Sequence, residues 1–158
     1  MKTLTISITF LLMTLLSSAS WSSTWMSELV HRENLYYKEG SDVPFTGRVI
    51  GRTEGMMKNG LMEGEWTIEH PFKIFSFAGS WSLRWKMNYK NGILHGPIEE
   101  YHRNGQLKIS ANYENEEFDG PYEEYYEDGQ LKLKGTFLNR QFYGHEYDKN
   151  GKKKKVKN

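Results

Sequence analysis

The chain contains no cysteine, which excludes disulfide staples, thiolate metal ligands, a thiol nucleophile and a lipid-bearing cysteine. It also lacks a hydrophobic run long enough to cross a bilayer. The most apolar stretch, Leu4 to Leu16, is shorter than the ~20 residues needed and is diluted by Thr and Ser. Positive charge is scarce in the body: setting aside Lys2 and the five lysines at the C-terminal end, Lys and Arg number 15 against 20 Asp and Glu. An acidic body does not build the basic groove that a phosphate backbone requires, so nucleic acid is not an expected partner. A nucleophile elbow, a phosphate loop and a serine-histidine arrangement are missing too.

The two ends carry their own signals. Lys2, the apolar segment Leu4 to Leu16 and the small residues Ser18-Ala19-Ser20 read as a secretory leader over residues 1–20, with cleavage expected near Ser20. The expected product is exported, periplasmic or extracellular, and free of a spanning anchor. At the other end Lys152, Lys153, Lys154, Lys155 and Lys157 crowd together. Residues 152–158 read as a solvated, disordered tail, with Lys152 to Lys155 as candidate contacts to an anionic surface.

What the chain does have is a repeat. Lys90-Asn91-Gly92-Ile93-Leu94-His95-Gly96-Pro97 recurs as Glu114-Asn115-Glu116-Glu117-Phe118-Asp119-Gly120-Pro121, and again, at the same spacing, as Leu138-Asn139-Arg140-Gln141-Phe142-Tyr143-Gly144-His145. A fourth copy, Lys58-Asn59-Gly60-Leu61-Met62-Glu63-Gly64-Glu65-Trp66, stands upstream of these across a longer spacer. A unit of this length is one supersecondary element that cannot bury its own apolar face, so the units must stack.

Each unit reads as a hairpin. Tyr122 to Glu127 and Gln130 to Phe137 flank Asp128-Gly129, and Asn104-Gly105 has the same role in the preceding unit. Such dipeptides supply the positive φ of a tight type I′ turn, and the flanking residues alternate with a period of two. A two-residue loop sets Glu123 against Lys134, Glu124 against Leu133 and Tyr126 against Leu131. A three-residue loop with a bulge sets Tyr125 against Leu131 and Glu124 against Lys132, and the sequence leaves both registers open. Asn91-Gly92, Asn115-Glu116 and Asn139-Arg140 reverse the chain again, so the expected fold is all-β, an elongated antiparallel meander of stacked hairpins in one twisted sheet. Gly96, Gly120 and Gly144 imply either a positive φ or a close aromatic neighbour.

Two regions break the period. Between Trp66 and Lys86 the unit gains eight residues, which lengthens a hairpin near 67–85 by four residues per strand, roughly 13 Å. Its Phe75, Phe77, Trp81 and Trp85, with Tyr101 and Tyr125 on the repeats, are the candidate partner-binding residues. Over residues 21–43, Leu35 to Gly40 reads as a strand that closes the sheet edge, ahead of a repeat domain over 44–151.

The string Gly120-Pro121-Tyr122-Glu123-Glu124-Tyr125-Tyr126-Glu127-Asp128-Gly129-Gln130-Leu131-Lys132 resembles the MORN-repeat variant of bacterial proteins, as do Asn104 to Lys108 and Tyr89-Lys90-Asn91-Gly92. The likeness runs from Pro44 to Gly151. The resemblance implies stacked hairpins and binding through a surface, and proteins of this kind are labelled YwqK-type antitoxins or membrane-associated scaffolds. Glu116 and Arg140 depart from the usual glycine and Ile98 and Glu146 from the usual aromatic, so the last unit reads as a degraded terminal cap.

Chemistry is not expected. His95 and His102 occupy slots that other units fill with Glu, Asp or Tyr, and no metal-ligand spacing recurs. Glu99-Glu100 and Glu123-Glu124 are adjacent strand residues on opposite faces and cannot form a dyad. The sequence therefore predicts a non-enzymatic scaffold without cofactor or metal, whose partner is a protein, with an immunity-like role inside that class. A glycan or cell-wall ligand and an anionic lipid surface are the alternatives.

Overall fold

The structure, a computed structural model, describes residues 22–72 and 80–154. In chain order its strands are β1 (Ser23–Trp25), β2 (Leu29–Arg32), β3 (Leu35–Lys38), β4 (Gly47–Ile50), β5 (Thr53–Lys58), β6 (Leu61–Phe72), β7 (Ser80–Lys90), β8 (Ile93–Leu94), β9 (Gly96–Tyr101), β10 (Leu107–Glu114), β11 (Glu117–Tyr125), β12 (Leu131–Leu138) and β13 (Gln141–Glu146). From β4 onward each strand pairs antiparallel with the next, short β8 lying off the path, so the expected meander is present as an 11-stranded sheet. A separate ribbon of β2 and β3 accompanies it.

Turn chemistry alternates between the two sides of the sheet. Asn59-Gly60, Asn91-Gly92, Asn115-Glu116 and Asn139-Arg140 hold both residues at φ between 51° and 79°, the two-residue type I′ loop. On the other side Gly105, Gly129 and Gly151 are left-handed while Asn104, Asp128 and Asn150 before them are not, and Gly51 of the β4–β5 turn also has positive φ. There the Gly129 amide donates to the Tyr126 carbonyl at 2.9 Å and the Tyr126 amide to the Gln130 carbonyl at 2.8 Å, with Gly105 and His102 repeating the pattern. This is a type I turn closed by a glycine bulge, which corrects the type I′ assignment at Asn104-Gly105 and Asp128-Gly129. The reason is that Asn104 and Asp128 spend their side chains on the backbone, each accepting at 3.0 Å from the amide two residues on, and keep ordinary φ.

The bulge reconciles the two registers. Glu123 opposes Lys134 and Glu124 opposes Leu133, but Tyr125 opposes Leu131, which leaves Lys132 as the extra residue. Lys108 is skipped in the same way between Leu107 and Ile109. Each freed lysine folds back onto its own unit: Lys108 Nζ donates to Glu100 Oε1 at 2.8 Å and Lys132 Nζ to Glu124 Oε1 at 2.6 Å. Lys154 pairs likewise with Glu146.

That third pair overturns the reading of the last unit. Gly135 opposes both Tyr122 and Gly144, so Gly144 occupies the slot of Tyr122 and not that of Gly120. Gly96 and Gly120, and Gly64 before them, take positive φ at a wide register shift, whereas Gly144 keeps ordinary φ and carries the Phe142 ring over its α-carbon. Without the bulge the unit is two residues shorter, and Glu146 is the counterpart of Glu124. The pattern continues to Lys154: the Asp148 amide donates to Lys152 at 2.9 Å, the Gly151 amide to Asp148 at 2.9 Å, and the Lys154 amide to Glu146 at 2.8 Å. Lys152 to Lys154 thus build a third bulged turn, where a disordered tail is the sequence expectation; Lys155 lies outside the described residues.

Neighbouring units are clipped at both rims. At the type I′ rim the Gly92 amide reaches the Met62 carbonyl at 2.9 Å and the Glu116 amide the Leu94 carbonyl at 3.0 Å. Arg140 forms a two-pronged pair with Glu117, its Nε donating at 2.6 Å, so the residue that replaces glycine ties its unit to the preceding one. At the other rim His102 Nε2 lies 2.9 Å from the Tyr125 carbonyl, Asn104 Nδ2 donates to Glu127 at 2.6 Å and Tyr126 Oη to Tyr147 at 3.0 Å. Because the carbonyl only accepts, Nε2 of His102 carries its proton.

The buried core sits at the N-terminal end. Phe45, Val49, Met57 and Trp66 are nearly solvent-free, and Met26, Leu29, Tyr36, Met62 and Tyr89 pack onto them. Gly55 is required there because the Trp66 indole lies where a β-carbon would stand. The lead segment contributes differently from its sequence expectation. Leu35 to Lys38 is a strand, but it pairs with β2 in the ribbon, and the sheet edge is closed by β1, parallel to β4. The 3-10 turn Met26–Glu28 between them is held by Thr24 Oγ1, which donates to Glu28 Oε2 at 2.5 Å.

Candidate functional site

Strand alternation divides the sheet into two faces. The register places Trp66, Trp85, Ile98, Glu100, Ala111, Tyr122, Glu124, Leu133 and Phe137 on one of them. The ribbon side chains Leu29 and Tyr36 cover its N-terminal part. Over β9 and β10 this face is lined by the buried Ile98, Glu100 and Ala111, and toward β13 it becomes aromatic and partly exposed.

The rings there pack against one another. Tyr113 meets Phe118 with centroids 4.4 Å apart, Phe118 stacks on Phe137 at 5.1 Å, and Tyr122 stands edge-on to Phe118 at 5.4 Å and to Phe137 at 5.3 Å. Phe142 closes the group at 5.2 Å from Phe137. All five are partly buried. Burial pushes the Tyr113 and Tyr122 phenols above their ordinary value, so neither ionises near neutrality.

Toward the bulged turns the same face carries the glutamate row. Glu100, Glu124 and Glu146 have side chains 5, 20 and 46 % exposed, each with the lysine eight residues on. Arg84 adds a second cation 3.6 Å from Glu100. A carboxylate as buried as Glu100 is stable only with such partners, and the row as a whole sets four cations against three carboxylates.

The reverse face is polar. Tyr101 Oη donates to Glu99 Oε2 at 2.5 Å, Tyr125 Oη to Glu123 Oε2, and Tyr143 Oη to Gln141 Oε1 at 2.9 Å. Hydrogen bonding to a carboxylate raises both the Tyr101 and the Tyr125 phenol to about 12. Glu123 is held below the ordinary carboxylate range, first by Lys134 and then by Tyr125. These groups satisfy one another. Among the described residues no cluster of His, Asp and Glu with metal-binding geometry occurs.

The expected candidates are therefore dispersed. Trp85 lies on the aromatic face opposite Glu100; Tyr101 and Tyr125 lie on the reverse face, two strands apart. The expected long hairpin is present as β6 and β7, paired out to Phe72 and Ser80, four rows beyond the Ile68–Trp85 pair that aligns with Glu100. Trp81 takes its place in that arm opposite Pro71. Phe75, Phe77 and Ser20 lie outside the described residues. The aromatic group of Tyr113, Phe118, Tyr122, Phe137 and Phe142 is not among the candidates that the sequence offers, although Tyr113 and Phe137, and Phe118 and Phe142, each recur at the spacing of the repeat.

With the geometry in place, comparison with known proteins supports the repeat reading. No curated protein and no solved structure matches the chain. The family model described as the MORN repeat variant matches residues 94–115 and 118–139, two adjacent units over β9 to β12 that carry four rings of the aromatic group, Tyr113, Phe118, Tyr122 and Phe137. MORN repeats belong to a non-catalytic class of binding scaffolds, and the matched units include partly exposed rings of this face.

Proposed function

We propose that this chain is an exported, non-enzymatic repeat scaffold that binds a protein through the open aromatic part of its sheet. One observation carries the reading: a single sheet face is closed by the β2–β3 ribbon at one end and left as a continuous group of five rings at the other. Large amphipathic aromatics supply much of the binding energy at protein interfaces. A sugar-binding role fits less well, because these rings meet one another tilted or edge-on and do not offer a row of flat faces for stacking. An immunity-like role, with a toxin as the partner, is the specific form we infer within this class.

The two sides of β13 provide the test. Phe142 and Tyr143 are adjacent and point to opposite faces, so Phe142→Ser and Tyr143→Ser separate the aromatic face from the reverse one. Photo-cross-linking of the mature chain in its own compartment is expected to capture a protein that is lost with Phe142→Ser and kept with Tyr143→Ser. Capture of nothing, of wall polysaccharide alone, or of a protein lost only with Tyr143→Ser overturns the reading.

A further inference from the structure

Four two-residue turns stand side by side along one rim of the molecule. Glu33-Asn34 of the ribbon has the same left-handed pair of φ values, 49° and 64°, as Asn59-Gly60, Asn91-Gly92 and Asn115-Glu116. Backbone hydrogen bonds set them in that order: the Tyr36 amide donates to the Gly60 carbonyl at 2.9 Å, Gly92 to Met62 at 2.9 Å and Glu116 to Leu94 at 3.0 Å. The second residues of all four turns line a single cavity of about 410 Å³, within the size range of ligand sites. Glycines at the two middle positions keep the trough free of side chains there, and Asn34 and Glu116 stand at the two outer ones. We infer that this trough binds a guanidinium on an apolar stem, the side chain of an arginine presented by a polypeptide partner. The site is separate from the aromatic face.

Charge complementarity names the occupant. Glu116 is the one carboxylate on the lining, and neither lysine nor arginine lines it. Among the described residues Glu116 has no ion pair, whereas its neighbour Glu114 lies 3.2 Å from His95 and Glu117 pairs with Arg140. The Asn34 side chain likewise has no hydrogen-bond partner among the described residues. Backbone conformation points the same way. Glu116 holds a φ of 68°, a region that favours glycine. Arg140 stands at the same turn position and gains the pair with Glu117; Glu116 gains no such contact within the chain, and a residue held in a disfavoured conformation without one marks a place where function sustains it.

The rest of the lining fits the stem and the plane of the group. Leu61, Met62 and Ile93 supply apolar surface, Ile93 being 43 % exposed. His31 and Tyr36 add a tilted ring pair with centroids 4.7 Å apart. A guanidinium is flat and weakly hydrated, so it can lie on aromatic surface while its N–H fork reaches a carboxylate; an ammonium holds its water more tightly.

Gly60 and Gly92 supply the readout, because they place two distinctive amide signals on the cavity in two-dimensional NMR of the full mature chain labelled with heavy nitrogen. Titrated at constant ionic strength, n-butylguanidinium is expected to shift both saturably, and n-butylurea, its neutral analogue, to bind at least tenfold more weakly. Glu116→Gln is expected to weaken n-butylguanidinium at least tenfold. Glu116→Gly should do the same while keeping or raising the unfolding midpoint, which separates loss of the site from loss of the fold. A capped Gly-Arg-Gly peptide is expected to shift the same two glycines, more strongly than its Gly-Lys-Gly counterpart. Absence of saturable shifts, equal binding of n-butylurea, or binding indifferent to Glu116→Gln overturns the site. Binding of n-butylguanidinium without binding of the arginine peptide overturns the polypeptide partner. Phe142→Ser is expected to leave these affinities unchanged, so the outcome is independent of the aromatic-face reading.

Discussion

The two ends of one sheet solve the same problem in different ways. Near β4 to β6 the apolar face is roofed by the ribbon, and Phe45, Val49, Met57 and Trp66 are nearly solvent-free. Over β9 to β13 comparable strands build no buried core of that size; the rings pack sideways on their neighbours and the units are clipped along both rims. Stability at the first end comes from burial, and at the second from many small contacts between adjacent units, as in other stacked repeats.

Truncating the centre of the roofed core gives the largest expected effect. Trp66→Ala should cost about 3–5 kcal/mol in urea unfolding, whereas Phe142→Ala should cost about 1–2 kcal/mol because its ring is already partly in water. Trp66 Nε1 is buried without a hydrogen-bond partner among the described residues. Trp66→Phe should therefore retain more stability than the lost area implies, since it deletes an unsatisfied donor. Equal losses for Trp66→Ala and Phe142→Ala would erase the contrast between the two ends.

The glutamate row grades that contrast. Replacing Glu100, Glu124 and Glu146 in turn by Ala should cost about 3, about 1 and under about 0.5 kcal/mol, following their decreasing burial. A flat series would show that the lysine partners do not act as clamps. At the type I′ rim, Glu116→Gly should stabilise by about 1 kcal/mol by relieving a left-handed non-glycine residue. Arg140→Gly should come out near zero, because the same relief is offset by the loss of the pair with Glu117.

The smallest effects are those of pH, on the reverse face. Glu123 has a lowered folded pKa, so its contribution is fully present above its unfolded value and is lost as pH falls through the folded one. Tyr101 and Tyr125 have raised values, so their contribution is present below the ordinary phenol range and is lost as pH rises through about 12. In an ultraviolet titration these two tyrosines should be among the last to ionise. Tyr101→Phe with Tyr125→Phe should remove that late phase.

Much of the meander was legible, because Asn-Gly pairs and period-two alternation are local signals. The longer spacer after the first copy of the repeat likewise announced the extended β6–β7 arm. The turn types were not, since both rims carry Asn or Asp before glycine and only the side-chain hydrogen bonds of Asn104 and Asp128 separate them. The last unit misled for a different reason: Gly144 falls one full period after Gly120 by coincidence, and the two-residue deletion shows only in the pairing of Gly135 with Gly144. The aromatic group was hidden because its members come from both strands of successive hairpins, and their contact depends on register. The role of β1 depended on a parallel pairing that has no short-range signature.

The removable glycine bulge has a consequence for how such a chain can vary in length. Counterpart positions in the row of Ile68, Glu100, Glu124 and Glu146 are unequally spaced, yet all four carry even numbers, so every interval between them is even. An even change leaves each downstream side chain on its own face, while a single inserted residue would turn the aromatic group toward the opposite side. Growth and shrinkage of this protein by pairs of residues is thus the route along which its units can diverge without losing their inside and outside.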